Sequence, residues 1–187
     1  MVKALRVIIE FHWGYSIKHP MFSASQPSFK FPPPTTLLGA LSASLVYCEE
    51  ATEVFADGDR LYSYAAKILD VAPWVTFRFT GIEDLGFLLE TRDLTRTLIA
   101  QYVRSDNVYP LSPYVWAVQT HGKIYAPTIA LDVVYLAREE ATKRIARCAW
   151  GITRVGTKES IVSVRSIDIL DVKLATEETV ETQYSFN

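Results

Sequence analysis

Apolar positions along this chain follow two periods, and the alternation between them predicts the order of its elements. Val2–Phe11 mixes alternation with β-branched residues, and Val7-Ile8-Ile9 is apolar on both faces. It reads as a strand at the centre of a sheet. Trp74–Thr80 alternates cleanly, with Val75, Phe77 and Phe79 on one face. Thr128–Ala137 reads as a buried strand and Ile161–Leu170 as a closing one. Between these runs the period lengthens. Leu37, Leu38, Leu41 and Leu45 form one helical stripe, preceded by Pro32-Pro33-Pro34 and ending near Tyr47. The prolines hold the incoming chain extended, and Thr35 or Thr36 is placed to cap the helix N-terminus. Gly39, Ala40, Ser42, Ala43 and Ser44 leave the same helix thin, so its backbone can approach another group closely. Leu61–Leu69 is a second helix candidate. Glu139–Trp150 is a third, with acids in its first turn and bases later, as the helix dipole favours.

The order strand, helix, strand, insertion, strand, helix, strand fits an α+β chain of ferredoxin-like (RRM-like) βαββαβ layout. Its sheet is antiparallel, with two helices on one face. Residues 1–187 read as one domain. Residues 81–125 read as an inserted thumb or arm, with Tyr114–Gln119 and Lys123–Ala126 flanking a hairpin across His121-Gly122. Tyr47–Val71 is an acidic excursion carrying Glu49, Glu50, Glu53, Asp57 and Asp59, and it argues against RNA on that side. Residues 171–187 form an acidic tail.

Charge narrows the candidate chemistry. The net charge is −2, so any nucleic-acid role must come from local basic patches. Arg138–Arg165 supplies one, with seven bases against three acids. Within it, Gly151–Ser160 is a glycine-spaced polar loop. Gly156 and its neighbours can turn backbone N–H groups toward a phosphate. Arg154 and Lys158 add charge, and Thr157 and Ser160 add hydroxyls. The order of a P-loop is absent, because Gly156 is followed by Thr157-Lys158-Glu159. Thr35 and Thr36 mark a helix start whose N–H groups can meet an anion. Lys30 ends the irregular loop Ser16–Lys30, which also holds Lys18, His19, Phe22 and Phe29, and aromatics beside lysines can stack on bases. Arg78 and Arg104 are further cations, one on a strand and one in the insertion.

Cys48 and Cys148 have neither metal-ligand spacing nor a disulfide framework, which suggests buried thiols in a reducing cytoplasm. His12, His19 and His121 are scattered, so no metal and no cofactor is expected. No apolar run reaches membrane-spanning length, and no membrane partner is expected.

Two stretches resemble a known family. Phe31-Pro-Pro-Pro-Thr-Thr-Leu-Leu-Gly-Ala-Leu is similar to the Pro-Pro-(Ser/Thr)-x-x-x-Gly-Ala helix start of the CRISPR-associated protein 5 family. Gly151–Val164 resembles that family's glycine-rich loop before the last strand, and in its brevity the chain looks most like the archaeal subunit of type I-A Cascade. The resemblance implies an RNA-recognition-like fold of the repeat-associated mysterious protein superfamily. It implies a subunit that caps the 5′ handle of CRISPR RNA in a surveillance complex defending against foreign nucleic acid. Its thumb would contact the CRISPR-associated protein 7 backbone subunit, with the large subunit and target DNA as further contacts. The expected RNA-binding set is Lys30, Thr35, Thr36, Arg78, Arg104, Arg154, Gly156, Thr157, Lys158 and Ser160. One branch of the family cleaves precursor RNA with a Tyr, a Lys and a His. Here only His121-Gly122-Lys123 comes near that pattern, so binding without catalysis is favoured. A metal-independent endoribonuclease and a protein-binding scaffold remain the alternatives.

Overall fold

A computed structural model describes residues 1–19, 25–81, 89–98, 116–127, 129–175 and 179–185. Its main sheet has four strands in the order β10-β1-β9-β6, and every neighbouring pair is antiparallel. These are β1 (Val2–Phe11), β6 (Trp74–Thr80), β9 (Ala130–Arg138) and β10 (Val162–Asp171). The predicted strands thus form within one or two residues of their expected bounds, and β1 is central. One face carries Leu5, Val7 and Ile9 of β1, Leu131, Val133 and Tyr135 of β9, and Val75 and Phe77 of β6, all buried. Two helices cover that face. Helix α1 (Pro34–Cys48) buries Leu37, Leu38, Leu41 and Leu45 there. Helix α3 (Glu139–Ala149) buries Ala141, Ile145 and Cys148. Tyr135 crosses the core and donates its hydroxyl to the Leu37 carbonyl at 3.0 Å.

Four local expectations are corrected. The N-cap of α1 is Pro33, not a threonine, and no side chain caps it. Thr36 and Leu37 N–H groups both bond back to the Pro33 carbonyl, and prolines bring no N–H. The helix start therefore offers an anion fewer donors than the sequence suggests. Second, the expected helix over Leu61–Leu69 shrinks to α2 (Ala65–Leu69), because Arg60–Ser63 is β5. It pairs with β4 (Val54–Asp57) around Gly58, whose φ of 59° suits glycine. Third, His121-Gly122 is not a turn. It lies inside β8 (Trp116–Tyr125), which pairs antiparallel with β7 (Leu89–Leu98). Two short strands, β2 (Gly14–Tyr15) and β3 (Ser25–Gln26), also pair with β8. Fourth, Cys48 and Cys148 are joined in a disulfide that ties the C-terminal ends of α1 and α3, with Cα atoms 5.6 Å apart. A spacing of 100 residues hides such a pair from any reading of local sequence.

On the face away from the helices, Asp132 is fully buried. Arg6 grips both of its oxygens, at 2.9 and 2.8 Å. Arg78 Nε donates at 2.8 Å and the Tyr184 hydroxyl at 2.9 Å. Burial pushes the Asp132 carboxyl up, but these donors together outweigh burial and hold it below the usual range. Ser185 N–H also donates to the Phe77 carbonyl at 2.8 Å, so residues 183–185 lie along β6. Replacing Asp132 with alanine strands two guanidiniums. Both are about one-third exposed and can rehydrate, so the expected cost is about 3 kcal/mol, at the low end for a broken buried pair. The sign with pH follows from a depressed folded pKa. The stabilisation is complete above the unfolded value near 3.8 and fades as pH falls through the lower folded one. Denaturant melts from pH 5 to 2 should show this loss in the native chain and not in Asp132→Asn.

Candidate nucleic-acid interface

The two stretches singled out from sequence meet in space. The face of α1 made thin by Gly39, Ala40 and Ala43 forms one wall of a groove of about 630 Å³. Gly151, Thr153, Arg154, Gly156 and Thr157 form the opposite wall. Ile17 and Lys18 close one side, and Tyr47 and Glu53 stand at another. The close approach of the walls has a local cause. Ser44 on α1 donates its hydroxyl to the Cys148 carbonyl at the end of α3. A Cβ on Gly151 would come within 2.9 Å of that hydroxyl oxygen.

The loop holds its shape by spending its own polar groups. Val155 N–H bonds to the Ser160 carbonyl at 3.1 Å, and Thr157 N–H to the Ser16 carbonyl at 2.8 Å. Ser160 is fully buried, and its hydroxyl accepts the Ser16 N–H at 2.8 Å. Gly156 has φ of 105°, and a Cβ there would sit 2.5 Å from the Ser16 carbonyl oxygen. Gly156 and Ser160 therefore fasten the loop to the Ser16–Ile17 segment; Gly156 is also exposed on the groove wall, whereas Ser160 is buried. The charged side chains that line the groove are Arg154 and Lys18, with Glu53 the one acid among them.

Lys18 and Thr157 also line a second hollow of about 420 Å³, with His121, Lys123, Lys158 and Glu159. Here Gly122 allows β8 to lie against the Pro27-Ser28 backbone, since a Cβ would meet Ser28 N at 2.2 Å. Lys123 pairs with Glu159 at 3.0 Å and lies 5.5 Å from the centre of the Trp13 ring. Trp13 Nε1 donates to the Glu159 carbonyl at 2.8 Å. The two hollows thus flank Thr157 and present Lys18, Arg154 and Lys158 on one flank of the molecule.

No family model matches the chain. It is 30% identical over 181 residues to the CRISPR-associated protein Cas5 3 of Saccharolobus solfataricus, an alignment covering 97% of this chain and 70% of that relative. The chain belongs to the Cas5 family. The CRISPR system aCascade subunit Cas5 1 of the same organism is 28% identical over 181 residues, with the same coverage of both chains. Among solved structures, a chain of the type III-B Cmr-β complex bound to cognate target RNA overlays with a TM-score of 0.49 at 14% identity. That match covers 90% of this chain and 61% of the other.

In this Cas5-family chain the structure brings together Thr36, Arg154, Gly156 and Thr157 at the groove, with Lys158 at the adjoining hollow. Thr35 is exposed beside Thr36 at the start of α1. Lys30 is exposed but lines neither hollow, and its carbonyl accepts the Tyr15 hydroxyl. Arg78 lies on the far face of the sheet, committed to Asp132 and to Gln183 Oε1 at 2.9 Å. Arg104 lies outside the described residues, as do 82–88 and 99–115 of the expected arm. Sequence reasoning passed over Lys18 as a site residue. Its signal was faint, one of two lysines in an irregular loop, and only the fold carries it to the groove that Arg154 also lines.

Proposed function

We propose that this chain is a non-catalytic RNA-binding subunit of a CRISPR effector complex of the type I-A Cascade kind. It holds the 5′ handle of the CRISPR RNA in the groove between α1 and the Gly151–Ser160 loop. The observation that carries this is the convergence of the two family-like stretches on one cleft with cations on its rim. Cas5-family membership supports the assembly, and the sheet order β10-β1-β9-β6 with two helices on one face supports a ferredoxin-like core. Arg154, Lys18 and Lys158 take phosphates, and Thr36 and Thr157 donate hydroxyls. Splayed bases meet the thin face of α1, as single-stranded RNA is read by edges and stacking. The β7–β8 pair forms the base of a thumb toward the backbone subunit.

Mapping crosslinks of this chain on its guide RNA inside the assembled particle tests the assignment. Adducts are expected on peptides spanning residues 36–47 and 151–158. Adducts confined to the sheet face around Thr76 and Val134 would sink it. Gly39 gives a sharper test. A Cβ there meets nothing within 4 Å, so no packing inside this chain requires glycine. Gly39→Ala should raise stability by about 1 kcal/mol. Gly39→Trp should fill the groove and cut RNA affinity at least tenfold, with the thermal midpoint held.

The hollow holding His121 and Lys123 supports a second reading, metal-independent cleavage of repeat RNA. Incubating the chain with repeat RNA in EDTA decides between them. A single defined cut that disappears in His121→Ala would establish the second reading.

A further inference from the structure

The β4–β5 ribbon is apolar on a side that nothing among the described residues covers. Residues paired across it share a face, so Phe55, Asp57, Arg60 and Tyr62 lie on one side and Val54, Ala56, Leu61 and Ser63 on the other. The first side is used. The Phe55 and Tyr62 rings stack with centroids 5.8 Å apart, and Lys67 of α2 sits 4.3 Å from the Phe55 centroid. The second side faces outward, with Leu61 76% and Val54 53% exposed. A two-stranded ribbon is marginal by itself in water, and an apolar outer face adds nothing to its stability in the free chain. Tyr47, 73% exposed, lines the groove together with Glu53, which precedes β4.

The rim is acidic. Glu49–Asp70 carries six acids against two bases. Among the described residues, no ion pair joins Glu50, Glu53, Asp57 or Asp59 to a cation. This surface repels phosphate and suits its electrostatic opposite. We infer that the outward face of the β4–β5 ribbon is a protein-docking surface, and that it takes an apolar patch rimmed by lysine and arginine on a companion protein subunit. Apolar contact at Val54, Ala56 and Leu61 supplies the centre. Asp59 in the turn, with Asp57 next to it at the turn end of the ribbon's first side, meets the partner's cations at the edge. Tyr47 and Glu53 also line the RNA groove, so a subunit seated here stands at that groove's mouth.

The test uses the particle assembled from this chain, its guide RNA and its companion subunits. A zero-length carboxyl–amine crosslinker should join Asp57 or Asp59 to lysines of a companion subunit. Leu61→Asp should lower incorporation into the particle at least tenfold while the free variant keeps native affinity for single-stranded RNA. The pair Asp57→Lys and Asp59→Lys lies at an exposed turn and leaves the core alone. It should also lower incorporation, and the difference from the native chain should shrink as salt rises. Native incorporation of the charge-reversed chain would overturn the inference, as would crosslinks from Asp57 and Asp59 only to a second copy of this chain. Loss of RNA affinity in Leu61→Asp would overturn it too, because the ribbon would then serve the groove. If the groove variants lose RNA binding as expected while the ribbon variants assemble normally, the docking surface alone fails.

Discussion

Alanine at both Arg154 and Lys158 is expected to weaken binding of a single-stranded 5′ handle roughly 100-fold at low salt. Hydrogen bonds to charged partners contribute about 1.5–3 kcal/mol each, and two of them account for that factor at the lower bound. The same double variant should flatten the salt dependence. Each phosphate contact on a single strand adds about 0.7 to the slope of log affinity against log salt, so the slope should fall by about 1.4. Filter binding between 50 and 300 mM salt measures both numbers. Fold integrity is not at stake, because both side chains are exposed and neither belongs to the buried core. Ser160→Ala gives the contrast. It removes a buried hydroxyl that accepts the Ser16 N–H, so its effect belongs first to stability and only through loop position to RNA.

The second large effect concerns the Cys48–Cys148 bridge. Its closed loop spans 100 residues, for which loop entropy predicts about 4–5 kcal/mol and the usual measured range is about 2–4. Changing both cysteines to serine should therefore lower stability by about 4 kcal/mol, or the thermal midpoint by about 8–16 °C for a chain of this length. Reductant should produce the same drop in the native protein and none in the variant. The bridge also ties the helix that forms one groove wall to the helix that leads into the other. RNA affinity measured in the variant below its melting range reports whether the wall spacing depends on the link.

Strong periodicity made the core legible. The stripe of Leu37, Leu38, Leu41 and Leu45, and the alternation of Trp74–Thr80, fix which side of each element is buried, and burial follows them. What sequence cannot show is which polar groups are already used. Arg78 reads as a free cation and is bound to a carboxylate 54 residues away. Ser160 reads as a ligand and is a buried fastener, and Gly156 fastens the loop as well as lining the groove, because their partner segment at Ser16 is distant in the chain. The β4–β5 ribbon is missed for another reason. Its strands are only four residues long and flanked by acids, so the stretch reads as no more than an acidic excursion until the pairing across Gly58 is seen. Cys48 and Cys148 carry no local pattern at all. The convergence of the proline-led helix with the glycine-spaced loop was legible only through their resemblance to one family, since neither stretch names the other.

The lie of residues 183–185 along β6 has a consequence for how this molecule meets its neighbours. β6 is an outer strand of the main sheet, and outer strands invite other chains to continue them. Here Ser185 already occupies the Phe77 carbonyl, and its own carbonyl accepts the Thr76 hydroxyl. Any companion seeking to prolong the sheet past β6 must first peel this segment away and unseat Tyr184 from Asp132.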